Sequence, residues 1–289
     1  MKNQEESARP PKEDKPISDA GWFARNHWTP YVLPMFVFMA LGYFEPKPPV
    51  PPQPADDPFQ DDVIIAGDTD ASGTEPEGEA ATESLIPYDY YPWVYTGRIL
   101  LTLVVLALAW KTYRSFPLRV SPLSAACGFA GVVLWIGICS LSLEETYILP
   151  HLSFLFGEDA GRAAYNPLEQ LKGQPLAMIS FLGVRFIGLA LLVPLIEEFF
   201  LRGFLVRFVQ KANWWALPIG AVTAAGWAAV IIYAALTHPG EMIAAVLWFS
   251  MVTLLVVSTK NIWDAVIAHV VTNLLLGIYV VTFGAWELW

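Results

Sequence analysis

Seven apolar runs, each close to or beyond the roughly 20 residues that a helix needs to cross a bilayer, constrain this 289-residue chain more than any other feature. They extend approximately from Trp28 to Phe44, Tyr95 to Tyr113, Leu123 to Leu143, Leu176 to Phe208, Ala216 to Thr237, Met242 to Val257 and Ile262 to Phe283. Lipid offers no partner to a free backbone N–H or C=O, so runs of this length fold as helices whose bonds close within the segment. Pro30 and Pro34 lie near the start of the first run, where a helix tolerates proline. The expected fold is all-α, a multi-pass transmembrane helical bundle of about seven spans. Hydrophobic residues supply 55% of the chain and charged residues only 15%, which excludes a soluble domain of this size.

Between the first two runs the chemistry changes. The stretch 45–94 carries six prolines by Pro54, and 12 of the 27 acidic residues lie between Glu45 and Asp89. The net charge of -10 thus belongs largely to this stretch, which cannot build a packed core and is expected to be a disordered, acidic, Pro-rich linker. The expected organisation is a cytoplasmic tail over 1–27, a first transmembrane helix over 28–44, the linker over 45–94 and a membrane helical core over 95–289. Basic residues, acids and prolines are mixed in the tail before any long apolar run, so no cleavable signal peptide is read there. Cys127 and Cys139 fall inside one run and offer neither a disulfide framework nor a Cys-rich metal site.

Orientation is read from Lys and Arg, which are retained on the cytoplasmic side. The tail, the segment with Lys111, Arg114 and Arg119, the segment with Arg202, Arg207 and Lys211, and Lys260 alternate with loops that hold only Lys47, Arg98, Arg162 and Lys172. The protein is therefore expected in the cell membrane with its N-terminus cytoplasmic and the acidic linker outside.

Charged and strongly polar groups inside an apolar span are costly and need a reason. Glu197 and Glu198 stand side by side in Leu195-Ile196-Glu197-Glu198-Phe199-Phe200-Leu201-Arg202. One helical turn brings Arg202 onto the face of Glu198, whereas Glu197 points about 100° away and lacks that partner. The two carboxylates should differ in role, with a partly desolvated Glu197 suited to taking a proton from water. The bland alternative is that the pair marks a cytoplasmic helix end near Arg207 and Lys211. His269 and Asn273 project from one helix face and can donate hydrogen bonds to a developing oxyanion, or simply bind helices together. His238 ends an apolar run before Pro239 and reads equally as an interfacial residue; Arg185 and Asp264 read as structural.

In this order the residues resemble the CAAX prenyl protease and bacteriocin-processing family, also called CPBP or Abi. Glu197-Glu198-x-x-x-Arg202 is similar to its first motif, His238 to its second and His269-x-x-x-Asn273 to its third. The resemblance covers about 176–283, with one departure: the family has Phe four residues before the second-motif histidine, where this chain has Ala234, preceded by Tyr233. The resemblance implies an intramembrane endopeptidase in which a glutamate-activated water cuts a peptide bond. Carried onto these positions, Glu197 is the base, His238 assists the water, His269 and Asn273 form the oxyanion site, and Glu198 and Arg202 support it from behind.

The expected substrate is a peptide or lipidated protein in the bilayer, with no nucleic acid, no metal and no cofactor. The alternative from another class is a non-catalytic membrane scaffold or immunity protein of the same fold. One geometric difficulty accompanies the assignment. A single crossing from Ala216 to Thr237 would carry His238 about 33 Å from the face near which Glu197 lies, at roughly 1.5 Å per residue.

Overall fold

The computed structural model describes residues 26–46, 86–151 and 165–289. Most of the expected tail, residues 47–85 of the acidic stretch and Arg162 lie outside the described residues. Seven apolar helices among the described residues answer to the seven runs. We label them α1 (Thr29–Gly42), α2 (Tyr91–Tyr113), α3 (Pro122–Cys139), α4 (Pro175–Phe208), α5 (Ala224–Thr237), α6 (Met242–Thr259) and α7 (Ile262–Phe283).

Five of these, counting the turns that lead into α2 and α6, are long and apolar enough to cross a membrane. The chain is a multi-pass, all-helical membrane protein. The two others, α1 and α5, have 14 residues each, so at 1.5 Å per residue they span roughly 21 Å and fall short of a ~30 Å hydrocarbon core. The fifth run shortens for a local reason. Trp214–Ala216 forms a 3-10 turn, Pro218 follows, and Gly220 adopts a left-handed φ of 82°, so α5 opens only at Ala224. At the other end of the acidic stretch, a 3-10 turn at Tyr88–Tyr90 leads directly into α2, which begins four residues earlier than its apolar run because Pro92 is acceptable in a first helical turn.

Helix α7 is the central element, packed against α3, α4 and α6. Close approach of α3 is made possible by Gly128 and Gly131. A Cβ on Gly128 would meet the Ala268 carbonyl at 2.5 Å, and one on Gly131 would meet Trp248 Nε1 at 2.6 Å. The backbone exposed by Gly128 is used, since Thr272 donates its hydroxyl to the Gly128 carbonyl at 2.9 Å. The α6–α7 connection is tight. Lys260 takes a left-handed φ of 55°, and Asn261 caps α7 by accepting from Trp263 N at 3.2 Å. Asp264 is structural, as expected, and accepts from Ser121 N at 2.7 Å at the start of α3.

The end of α4 and the start of α5 are tied at one level. Arg207 donates to the Leu217 carbonyl at 2.8 Å, and Gln210 donates to Ala221 O at 3.0 Å while accepting from Thr223 N at 2.9 Å. Arg202 and Arg207, counted above as loop charges, are both buried and bonded inside the bundle. They belong to the protein interior because each has acceptors there that lipid or a loop would not supply. Lys111, Arg114, Arg119, Lys211 and Lys260 still gather near the ends of α2, α4 and α6 and the start of α3.

Candidate active site

Helix α4 is interrupted on both sides of its glutamate pair by π-helical turns, Ile187–Leu192 and Phe199–Leu205, with the α-helical turn Val193–Glu198 between them. Such wide turns store irregularity and frequently occur where a helix carries function. The first has a cause in the sequence. Val193 N–H bonds to Gly188 O, five residues back. The next donor in that register, onto Leu189 O, would be position 194, which is proline and has no N–H. Asn273 on α7 takes the freed carbonyl, donating from Nδ2 to Leu189 O at 2.8 Å. One amide hydrogen of Asn273 is therefore structural, and the residue also lines the cavity.

Glu198 is fully buried and sits between two partners. It pairs with Arg202 one turn on, as the spacing predicts, and its other oxygen lies 3.0 Å from His269 Nδ1. Arg202 is held in turn by the Phe249 carbonyl at 2.8 Å and by Thr253 Oγ1 at 3.2 Å on α6. A carboxylate paired with a guanidinium is an acceptor only, so His269 Nδ1 must carry hydrogen and donate. Nε2 then faces the other carboxylate, 3.8 Å from Glu197 Oε2. Trp248 packs edge-on against the His269 ring at 4.5 Å and prevents it from swinging away.

Glu197 has a partner that the reading of the sequence did not assign. Tyr233 on α5 donates its hydroxyl to Glu197 Oε1 at 2.7 Å. A signal was available, because a tyrosine within an apolar helix requires a partner for its hydroxyl, but nothing in one sequence says which polar group that is. Ala234, where the family pattern has Phe, is buried in the packing of the bundle.

His238 follows the last turn of α5. Thr237 commits its single hydroxyl proton to Tyr233 O at 2.8 Å, so its oxygen accepts from His238 Nδ1 at 2.9 Å. In the neutral ring Nε2 is then an acceptor. Trp135 and Phe249 flank the ring at 5.6 and 5.5 Å.

Glu197, His238, His269 and Asn273 line one cavity of about 370 Å³, together with Trp135, Trp248 and the segment Glu287 to Trp289. The difficulty over His238 disappears for two measurable reasons. From the tied level at the α4–α5 connection, Glu197 is 11 residues back along α4, roughly 16 Å, while His238 is 14 residues along the shortened α5, roughly 21 Å. Both reach a similar depth. Neither member of the glutamate pair marks a helix end: Glu197 is 4% exposed and Glu198 0%.

Residues 179–275 match the family model of Type II CAAX prenyl endopeptidase, Rce1-like. This Rce1-like segment is about a third of the chain and contains all six residues of the three motifs, which is consistent with the resemblance to the CPBP family. It also contains Tyr233 and Arg185, and ends before the segment Glu287 to Trp289 that closes part of the cavity. No curated protein and no solved structure compared with the chain gives a match.

Proposed function

We propose that this protein is an intramembrane endopeptidase that hydrolyses a peptide bond of a membrane-associated or lipidated substrate, with Glu197 activating the water. The observation that carries this reading is the gap between Glu197 Oε2 and His269 Nε2, which at 3.8 Å is too long for a direct hydrogen bond and faces a cavity shared with His238 and Asn273. One water can contact carboxylate and imidazole together there.

In the reaction, Glu197 takes a proton from that water while the water oxygen forms a bond to the substrate carbonyl carbon. His238, with Nδ1–H fixed on Thr237, holds the water through Nε2. The carbonyl oxygen becomes an oxyanion and accepts from the free Nδ2–H of Asn273 and from His269 Nε2–H. His269 can donate there only as an imidazolium, because Nδ1–H is already committed to Glu198. In that form Glu197, Glu198, Arg202 and His269 carry no net charge before the water is deprotonated, which suits a buried cluster. The proton held by Glu197 passes to the leaving nitrogen as the C–N bond breaks.

A metal-free route is favoured by the way donors are spent. Glu198 is consumed by Arg202 and His269 Nδ1, and among the described residues no group of three or more His, Cys, Asp and Glu side chains is arranged to hold a metal ion. We place the membrane orientation with residues 1–27 on the cytoplasmic side, on the weight of Lys111, Arg114, Arg119, Lys211 and Lys260.

The test is a comparison of peptide profiles from membranes of cells that carry the wild type or Glu197→Ala. A hydrolase leaves at least one precursor uncut in the variant. Identical profiles, with both proteins expressed and folded, would overturn the reading.

A further inference from the structure

Arg185 is a buried arginine that the three motifs do not use. It lies on α4, three turns before Glu197, and donates from Nη1 to Tyr165 O at 2.8 Å and from Nη2 to the main-chain oxygen of Trp289. The indole of Trp289 lies under the guanidinium, 5.1 Å from ring centroid to Cζ, and meets Phe186 at 4.6 Å. Its other wall is bare backbone. A Cβ on Gly277 would come within 2.6 Å of the Trp289 ring and 2.9 Å of Phe186. Glycine at 277 is what makes room for an aromatic side chain at this point.

The chain reaches this cradle by turning back on itself. After α7, Gly284 adopts a left-handed φ of 74° and its N–H closes the helix on Val280 O at 2.8 Å. The short turn Trp286–Leu288 then lies against α7. Glu287, Leu288 and Trp289 thereby become walls of the same cavity that Glu197, His238, His269 and Asn273 line. At about 370 Å³ that cavity is near the small end of the range for ligand pockets, roughly 300–1,000 Å³. The fit of the segment is incomplete. Among the described residues, Trp289 Nε1 and Arg185 Nε are buried with no hydrogen-bond partner.

We propose that Gly277, Phe186 and Arg185 form a subsite for a large aromatic or apolar residue of the substrate peptide, and that Trp289 occupies it in the resting protein. The inference rests on the hydrolase reading for its biological sense. The subsite takes a flat apolar side chain between Phe186 and the Gly277 backbone and an acceptor oxygen of the peptide main chain on Arg185. The segment 286–289 is a built-in competitor, and a substrate that displaces it gains the whole cavity. An occupant that leaves two buried N–H groups unsatisfied is one that a better-matched peptide can replace.

The test reads binding without hydrolysis, in Glu197→Gln protein purified in lipid nanodiscs, with fluorescein-labelled Trp-Glu-Leu-Trp and Trp-Glu-Leu-Ala as probes. A competitor docked in nine molecules of ten lowers apparent affinity ~10-fold, so Trp289→Ala should tighten binding of Trp-Glu-Leu-Trp by about that factor. Trp-Glu-Leu-Ala should gain far less, because it cannot fill the cradle. Adding Gly277→Ala to Trp289→Ala should cancel the gain by narrowing the cradle. Trp289→Leu, which keeps apolar contact and protects folding, should give an intermediate gain. No tightening in either Trp289 variant, or equal tightening for both probes, would overturn the proposal. Because the readout needs no cleavage, a hydrolase reading that fails in the membrane profiles leaves this result intact, and the converse also holds.

Discussion

The hydroxyl of Tyr233 and the carboxylate of Glu197 are joined at 2.7 Å across the α4–α5 contact, so one oxygen of the proposed base is fixed and the other faces the cavity. A general base works only when its geometry holds it within reach of the proton it removes. Tyr233→Phe keeps the ring and removes only this bond. We expect kcat to fall roughly tenfold, as losing one bond to a charged group implies, with KM little changed. A purely structural tyrosine would lower stability and leave kcat per folded molecule unaltered, which a denaturation curve run beside the kinetics separates.

Glu197→Gln is expected to be the most damaging single substitution. Glutamine can still accept from Tyr233 but cannot take the water proton. Asn273→Ala removes one of the two proposed oxyanion donors and should cost about 100- to 1000-fold while leaving measurable turnover. The order of the two on a purified, cleavable membrane peptide checks the roles, and Asn273→Ala being the more severe would reverse them.

Pro194 creates the vacancy that Asn273 fills. With Pro194→Ala, position 194 regains an N–H that can bond within α4, and alanine is a better helix former than proline by about 3 kcal/mol in an ordinary helix interior. Asn273 then loses its anchor on Leu189. Activity should drop between ~10- and 100-fold, the cost of a small misplacement at a reacting centre, with no loss of thermal stability. Loss of both together would show that the proline serves only packing.

Arg202→Ala should unfold or strongly destabilise the protein, because Glu198 would remain buried with only His269 beside it. Breaking a buried pair in this way costs about 3–5 kcal/mol. Arg202→Lys should not restore stability, since one ammonium cannot serve Glu198, Phe249 O and Thr253 in the forked geometry that Arg202 uses. Chemical denaturation in detergent measures both, and Lys211→Ala at an exposed position supplies the comparison.

Cleavage should survive strong chelation. A metal enzyme would instead lose activity and recover it on addition of zinc, since the ion that lowers the pKa of bound water would have been removed and replaced. Recovery of that kind on the purified protein would overturn the metal-free mechanism.

The sequence by itself determined the solvent, the helices and the partner of Glu198. Long apolar runs have one way to satisfy their backbone in lipid, and a spacing of four residues puts Glu198 and Arg202 on one face whatever surrounds them. The motif order also marked His238, His269 and Asn273 as residues to watch. Only the tertiary structure decided at what level α5 starts beside α4, and with it whether His238 could meet Glu197. Pro218 and Gly220 break the run locally, but the level at which the helix resumes beside α4 depends on how Arg207 and Gln210 hold the backbone of 217–223. The partner of Glu197 had the same character. Tyr233 and Glu197 are 36 residues apart, and their bond exists because two helices pack at one depth and one rotation. The pairing of Leu189 with Asn273 needed both levels: Pro194 removes a donor locally, but which side chain fills the gap is a matter of how α7 lies against α4.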